Sequence, residues 1–75
     1  MFIRKRFAQR FKNLRTKYNL SQNDVAKALN LTRGTVTHWE SEIRLPSLGV
    51  AIKLADYFNV SLDYLVGRSD NPELK

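Results

Sequence analysis

Residues 20–40, which read LSQNDVAKALNLTRGTVTHWE, hold the signals that decide the fold. Ser21 followed three residues later by Asp24 is typical of a capping box, which opens a helix. Thr32 is the next good N-cap, and it predicts a second helix over residues 33–41. The stretch therefore predicts two short helices that meet across a tight turn.

The spacing of apolar residues predicts another helix at the start of the chain. Apolar residues recur four, four, three and four positions apart, which is the stripe of an amphipathic helix. They are Ile3, Phe7, Phe11, Leu14 and Tyr18. Asn19 and Asn30 favour the left-handed conformation that ends a helix, so they predict the ends of the first and second helices.

The second half of the chain predicts two more helices. Pro46 indicates a loop, because proline disfavours helix at the residue before it. Apolar residues then recur at helical spacing over residues 48–58, and a short helix is predicted over residues 62–66. The apolar positions of the first of these are Leu48, Ala51, Ile52, Ala55 and Phe58. The residues that predict the ends of the two helices are Ser47, Asn59, Ser61 and Gly67. The fold class is all-α, with five short helices.

Length and composition fit one small domain. The chain has 75 residues and no cysteine, so disulfides and thiolate metal sites are excluded. No apolar run approaches the roughly 20 residues that cross a bilayer, and no signal peptide is evident. We expect a cytoplasmic protein with no membrane partner, consisting of a domain over residues 1–67 and a flexible tail over residues 68–75.

Positive charge is concentrated in the first half. Up to Trp39 the chain has nine basic residues and one acidic residue, a formal charge of +8, whereas the remainder carries −2. Such segregation is expected for a polyanion partner, because Lys and Arg that neutralise phosphates release counterions. A basic face that only keeps the protein soluble is the alternative.

Several stretches of the sequence resemble a known protein family. Residues 20–40 closely resemble the helix-turn-helix of the phage-repressor-like proteins (Xre, Cro and lambda-repressor type). Pro46-Ser47-Leu48 and Val60-Ser61-Leu62-Asp63-Tyr64-Leu65 are similar to the family's fourth and fifth helices. The resemblance covers about residues 7–67 and implies a compact, five-helix, lambda-repressor-like domain. It also implies a homodimer that places the second helix of the motif in the major groove of operator DNA.

The base-reading face follows from the helical period of 100° per residue. Val36 and Trp39 fall on one side of the third helix, which we assign to the core. The candidates for base contact lie on or beside the opposite side and are Arg33, Gly34, Thr37 and His38. Each has an alternative: Arg33 could contact phosphate, Gly34 could be merely tolerated, and His38 could be an inert surface imidazole.

Further residues are candidates for phosphate contact. They are Ser21, Gln22, Asn23, Thr32, Thr35, Ser41, Arg44, Lys12 and Lys17. The resemblance implies that Gln22 holds a phosphate and braces the start of the recognition helix. It also implies a structural ion pair between Arg15 and Glu40. Family members often carry Asn and Gly after this glutamate, whereas Ser41 and Glu42 follow here, so the loop is expected to turn differently.

The sequence therefore favours a sequence-specific transcriptional regulator, most simply a repressor, that binds double-stranded operator DNA as a homodimer. The dimer contact is expected around Leu62, Tyr64, Leu65 and Val66. One alternative is an antitoxin that also binds its own promoter, with a toxin or an inducer protein as partner. Another is nonspecific binding of nucleic acid. An enzyme is not expected, because no nucleophile and base, metal cluster or phosphate loop is present, and neither a cofactor nor a metal is predicted.

Overall fold

A computed structural model describes residues 2–73, with side chains from Arg4 onward. The five helices are α1 Phe2–Lys17, α2 Gln22–Ala28, α3 Arg33–Glu40, α4 Leu48–Phe58 and α5 Leu62–Leu65. No strand occurs within residues 2–73. The predicted all-α class and the five helices are confirmed. The side chain of Ile3, which the apolar spacing assigns to the stripe of α1, lies outside the described residues.

Four helices begin at the predicted N-caps. Ser21 accepts from the Asp24 amide, and the Asp24 carboxylate accepts from the Ser21 amide, which completes the capping box. Thr32, Ser47 and Ser61 each accept a bond from the amide three residues later. These bonds satisfy donors that have no partner inside the helix.

Left-handed residues end all five helices. Among the described residues, positive φ occurs at Asn19, Asn30, Glu42, Asn59 and Gly67. At each of them the chain folds back so that two amides bond to carbonyls of the last turn, as Glu42 and Ile43 do to Trp39 and His38. Only Glu42, with a φ of 65°, has a side chain that disfavours this conformation strongly. The loop after α3 thus turns left-handed as a Gly would allow, but on a glutamate.

Aromatic rings at the centre of the core join α1, α3 and α4. Phe11 packs edge-on against Trp39 and Phe58, with centroid distances of 5.5 and 6.0 Å, and it stacks on Phe7 at 5.8 Å. All four side chains are at least 98% buried. This packing fixes α3 through its Trp39 side and leaves the opposite side of that helix outward.

Burial corrects three core assignments made from spacing and one predicted dimer contact. Leu48 and Ile52 share the helical period of α4 but are 69% and 45% exposed, and Leu54 takes a place in the core instead. Tyr18 is also 48% exposed, because it lies at the end of the α1 stripe and covers Phe58 from the solvent side by stacking on it. Leu65 is fully buried and therefore cannot form the expected dimer contact.

Residues 68–72, which the sequence assigns to a tail beyond the domain, lie against α1 and α5. Arg10 of α1 bonds to the carbonyls of Tyr64 and Ser69 and to the Asp70 carboxylate, at 2.8, 3.0 and 2.7 Å. The Ser61 amide donates to the Pro72 carbonyl at 2.9 Å. We call residues 68–72 the C-terminal strap.

Candidate nucleic-acid interface

The outer side of α3 presents small, polar and basic groups. Arg33, Gly34 and His38 are exposed, and Thr37 is half-buried, whereas Val36 on the other side has no exposed surface. A Cβ added to Gly34 would meet only the Thr32 hydroxyl oxygen, 4.0 Å away. Packing within the protein therefore does not require glycine at this position.

A part-buried ion pair holds both ends of the helix-turn-helix to α1. Arg15 Nε and Nη2 donate to the two carboxylate oxygens of Glu40, at 2.6 and 3.0 Å. The two side chains are 15% and 9% exposed. The third donor position, Nη1, bonds to the Leu20 carbonyl at 2.9 Å, just before the N-cap of α2. One guanidinium therefore fixes the start of α2 and the end of α3 relative to α1.

Gln22 extends this network to the outer side of α3. Its Nε2 donates to Glu40 Oε1 at 3.1 Å, and its Oε1 accepts from the Thr37 hydroxyl at 3.0 Å. The amide side chain consequently bridges the end of α3 and its middle. Arg15, Ser21, Gln22, Asn23 and Arg33 line one shallow cleft where α2 meets the start of α3.

The other predicted phosphate contacts are arranged around these two helices. Ser21 and Thr32 are exposed N-caps, and the hydroxyls of Thr32 and Thr35 lie 2.9 Å apart. Asn23 is exposed in the first turn of α2. Their placement at the starts of α2 and α3 brings amides and hydroxyls to one edge of the motif.

The remaining candidates are less closely tied to this edge. Ser41 and Arg44 are exposed after the end of α3, where the Arg44 amide bonds to the His38 carbonyl at 3.3 Å. Lys12 and Lys17 are exposed on α1. The Lys17 ammonium lies 5.6 Å from the centroid of the Tyr18 ring, which stacks on Phe58 at the far end of α4. The structure therefore does not bring Lys17 together with the candidates on α3 through any described contact.

Arg10 has a role that sequence reasoning missed. The sequence indicates only its positive charge, yet its guanidinium stacks 4.0 Å above the Tyr64 ring and is bonded to the C-terminal strap. Arg6 likewise bonds to the Gly67 carbonyl at 3.2 Å. Their partners lie 54 to 61 residues away in sequence, so no local pattern could reveal these contacts. Arg10 and Arg15 are therefore structural, and less of the +8 charge is free to contact a polyanion than the sequence suggests.

Hydrogen bonds of the capping box at the start of α2 favour the ionised form of the Asp24 carboxyl. Bonds from the Ser21 amide and hydroxyl lower the pKa of the Asp24 carboxyl from its usual 3.8.

Within residues 2–73, no group of three or more His, Asp or Glu side chains is placed to hold a metal ion. None of the described helices has the length and apolar character needed to cross a membrane.

Comparison with known proteins places this geometry in a family. A family model described as Helix-turn-helix matches residues 11–65. The chain is 29% identical over 69 residues to YobD, an uncharacterised HTH-type transcriptional regulator of Bacillus subtilis, and 32% identical over 62 residues to the HTH-type transcriptional regulator ImmR of the same organism. These alignments cover 92% and 83% of this chain but only 62% and 49% of the two relatives.

A solved structure agrees with the sequence relatives. The fold matches the solution structure of LexA from Eubacterium rectale, described as an SOS-response transcriptional repressor, with a TM-score of 0.81 and 26% identity. The match covers 85% of this chain and 68% of that one. The paired helices α2 and α3 agree with the family match over residues 11–65 and with these relatives. The chain belongs to the Xre-type helix-turn-helix family of DNA-binding transcriptional regulators.

Proposed function

We propose that the protein is a sequence-specific repressor that reads operator DNA by placing α3 in the major groove and that acts in the cytoplasm. The observation that carries the proposal is the division of α3 into two sides. Val36 and Trp39 are buried, whereas Arg33, Gly34 and His38 are exposed on a helix held from behind by Arg15 and Glu40. A major groove about 12 Å wide admits such a helix.

Base contact on this side is assigned by chemistry. The planar guanidinium of Arg33 can offer two parallel donors to the O6 and N7 atoms of guanine. Thr37 and His38 can reach neighbouring base edges, and the lack of a side chain at Gly34 permits close approach of the α3 backbone. Repression is supported by the structural similarity to LexA, an SOS-response transcriptional repressor.

Phosphate contacts would set the register of α3 in the groove. The proposed residues are Ser21, Gln22, Asn23, Thr32, Thr35, Ser41, Arg44, Lys12 and Lys17. The first five lie around the starts of α2 and α3, where amides and hydroxyls can donate to one phosphate backbone. The exposed lysines supply charge, which makes the affinity dependent on salt.

We further propose that the protein binds DNA as a homodimer. One α3 presents few base-facing side chains, and two copies would read successive major grooves about 34 Å apart. Leu45, Leu48, Leu62 and Val66 line an apolar groove between the α3 to α4 loop and α5, with Asp63 and Arg68 in its lining. A two-fold contact can bring opposite charges of the two copies together. A selected site without inverted half-sites would contradict the dimer.

Binding of Arg33 variants tests the proposal. Sequences are first selected from a random DNA pool, and the affinity of Arg33→Ala is then measured on the selected site and on random DNA. We expect a loss of about 1–3 kcal/mol on the selected site with relaxed preference at one base pair per half-site. The affinity for random DNA should fall much less. Arg33→Lys keeps the charge but removes the two-donor fork, so it should lose the same base preference.

The matched control is Lys53→Ala, which removes one exposed positive charge from α4. It should change both affinities little. If Arg33→Ala weakens specific and random DNA by equal factors, or if Arg33→Lys retains full base preference, Arg33 contacts phosphate and does not read a base.

A further inference from the structure

The Thr37 hydroxyl on α3 has committed its only proton to the protein. Thr37 Oγ1 lies 3.0 Å from Gln22 Oε1 and 3.0 Å from the Arg33 carbonyl oxygen. Both partners are carbonyl oxygens, which accept hydrogen bonds and cannot donate. Whichever of the two accepts the proton, the Thr37 oxygen has only lone pairs left for a further hydrogen bond.

The orientation of Gln22 follows from the same chemistry. The Glu40 carboxylate, paired with the Arg15 guanidinium, accepts hydrogen bonds only. The atom of Gln22 that lies 3.1 Å from Glu40 Oε1 must therefore be the amide nitrogen, so the amide oxygen faces Thr37. Donation therefore runs inward, from the Thr37 hydroxyl to Gln22 Oε1 and from Gln22 Nε2 to the Glu40 carboxylate.

We propose that this arrangement makes Thr37 an acceptor-only reader of DNA, whose oxygen accepts from the exocyclic amino group of adenine or cytosine. The inference rests on the proposed function, in which α3 occupies the major groove. The amino groups N6 of adenine and N4 of cytosine are the donors in that groove. Guanine O6, thymine O4 and purine N7 are acceptors. Each would place its lone pairs against those of the Thr37 oxygen, which is unfavourable.

The test combines side-chain variants with base analogues. Thr37→Val keeps the shape of the side chain but removes the oxygen, whereas the control Thr37→Ser keeps the hydroxyl and removes the methyl group. On the selected operator, the base pair whose preference changes in Thr37→Val marks the contact. There, 2-aminopurine replaces adenine, or 2-pyrimidinone replaces cytosine, because each lacks the major-groove amino group.

The wild type and Thr37→Ser should each lose about three- to tenfold in affinity on the analogue, as expected for one hydrogen bond. Thr37→Val should lose nothing further, because its oxygen is already absent. Thermal unfolding of each variant is measured alongside, and Thr37→Ala is a second variant without the oxygen.

Three results would overturn the inference. In the first, Thr37→Val and Thr37→Ala leave every base preference unchanged. In the second, a 7-deazapurine, which lacks N7, lowers the affinity of wild type but not of Thr37→Val, whereas the analogue without the amino group does not. In the third, a thymine preference persists in Thr37→Val and vanishes in Thr37→Ser, which would indicate a methyl contact. Failure of the proposed function is distinguishable, because no sequence would then be enriched from the random pool by the wild type.

Discussion

Glu40→Gln removes the negative charge of the part-buried Arg15–Glu40 ion pair while keeping the size of the side chain. The carboxylate accepts three bonds, two from Arg15 and one from Gln22, in a site where the Glu40 side chain is 9% exposed. A glutamine offers one acceptor oxygen, and its amide must face a donor. Arg15, 15% exposed, keeps only the Leu20 carbonyl as an undisturbed partner.

Breaking a buried pair from one side costs about 3–5 kcal/mol. We expect about 3 kcal/mol, at the low end, because the pair is part-buried, Arg15 retains the Leu20 bond and glutamine retains one acceptor. In a domain of this size the loss should lower the melting temperature by about 12–24 °C, at about 4–8 °C for each kcal/mol. Thermal unfolding followed by circular dichroism measures it.

Asp63→Asn is the matched control, because it neutralises an exposed ion pair. Asp63 lies 3.7 Å from Arg68, and the two side chains are 61% and 73% exposed. Exposed pairs contribute about 0–1 kcal/mol, so the melting temperature should change little. A decrease for Glu40→Gln as small as that of the control would refute the argument that this pair ties α3 to α1.

Three further substitutions test local features. Gly34→Ala should stabilise the protein by about 0.5–1 kcal/mol, because the added methyl group has room and alanine favours helix; reduced operator affinity would show that the α3 backbone approaches DNA closely, and reduced stability would contradict the packing. Glu42→Gly should add about 1 kcal/mol to the free energy of unfolding in denaturant, because φ is 65° there, whereas Glu42→Ala should give no such gain. Asp24 has a lowered pKa in the folded state, so its contribution to stability is complete above the unfolded pKa and is lost as pH falls through the folded pKa. Melting temperatures from about pH 5 to about pH 2 should therefore fall less steeply for Asp24→Asn than for wild type, and equal slopes would show that Asp24 contributes nothing.

Local chemistry explains why the helix limits could be predicted from the sequence. Ser21 and Thr32 accept amide bonds within three residues, and Asn19 and Asn30 adopt a backbone conformation that asparagine tolerates. Each signal and its partner lie within one turn. Glu42 gave no such signal, because its left-handed backbone is imposed by the bonds of the loop and not by its own preference.

Tertiary contacts explain what the sequence did not reveal. The period of α3 was enough to separate the Val36 side from the Arg33 side, and burial agrees with it. The direction of the Gln22 to Thr37 bond depends on Glu40 and on a residue of another helix, Arg15. On α4, periodicity did not show that Leu54 is buried and Leu48 exposed, because the side of a helix that faces the core is set by the elements packed against it.

The C-terminal strap determines where this domain can be joined to another protein. A hybrid regulator with its junction after Gly67 would lack the Pro72 carbonyl that accepts from the Ser61 amide, and Asp70, which neutralises Arg10. The part-buried guanidinium would then be without a counterion beside whatever sequence was attached. A junction at residue 73 or later keeps these bonds, so modular fusions should treat residues 68–72 as part of the DNA-binding unit and place the variable linker after them.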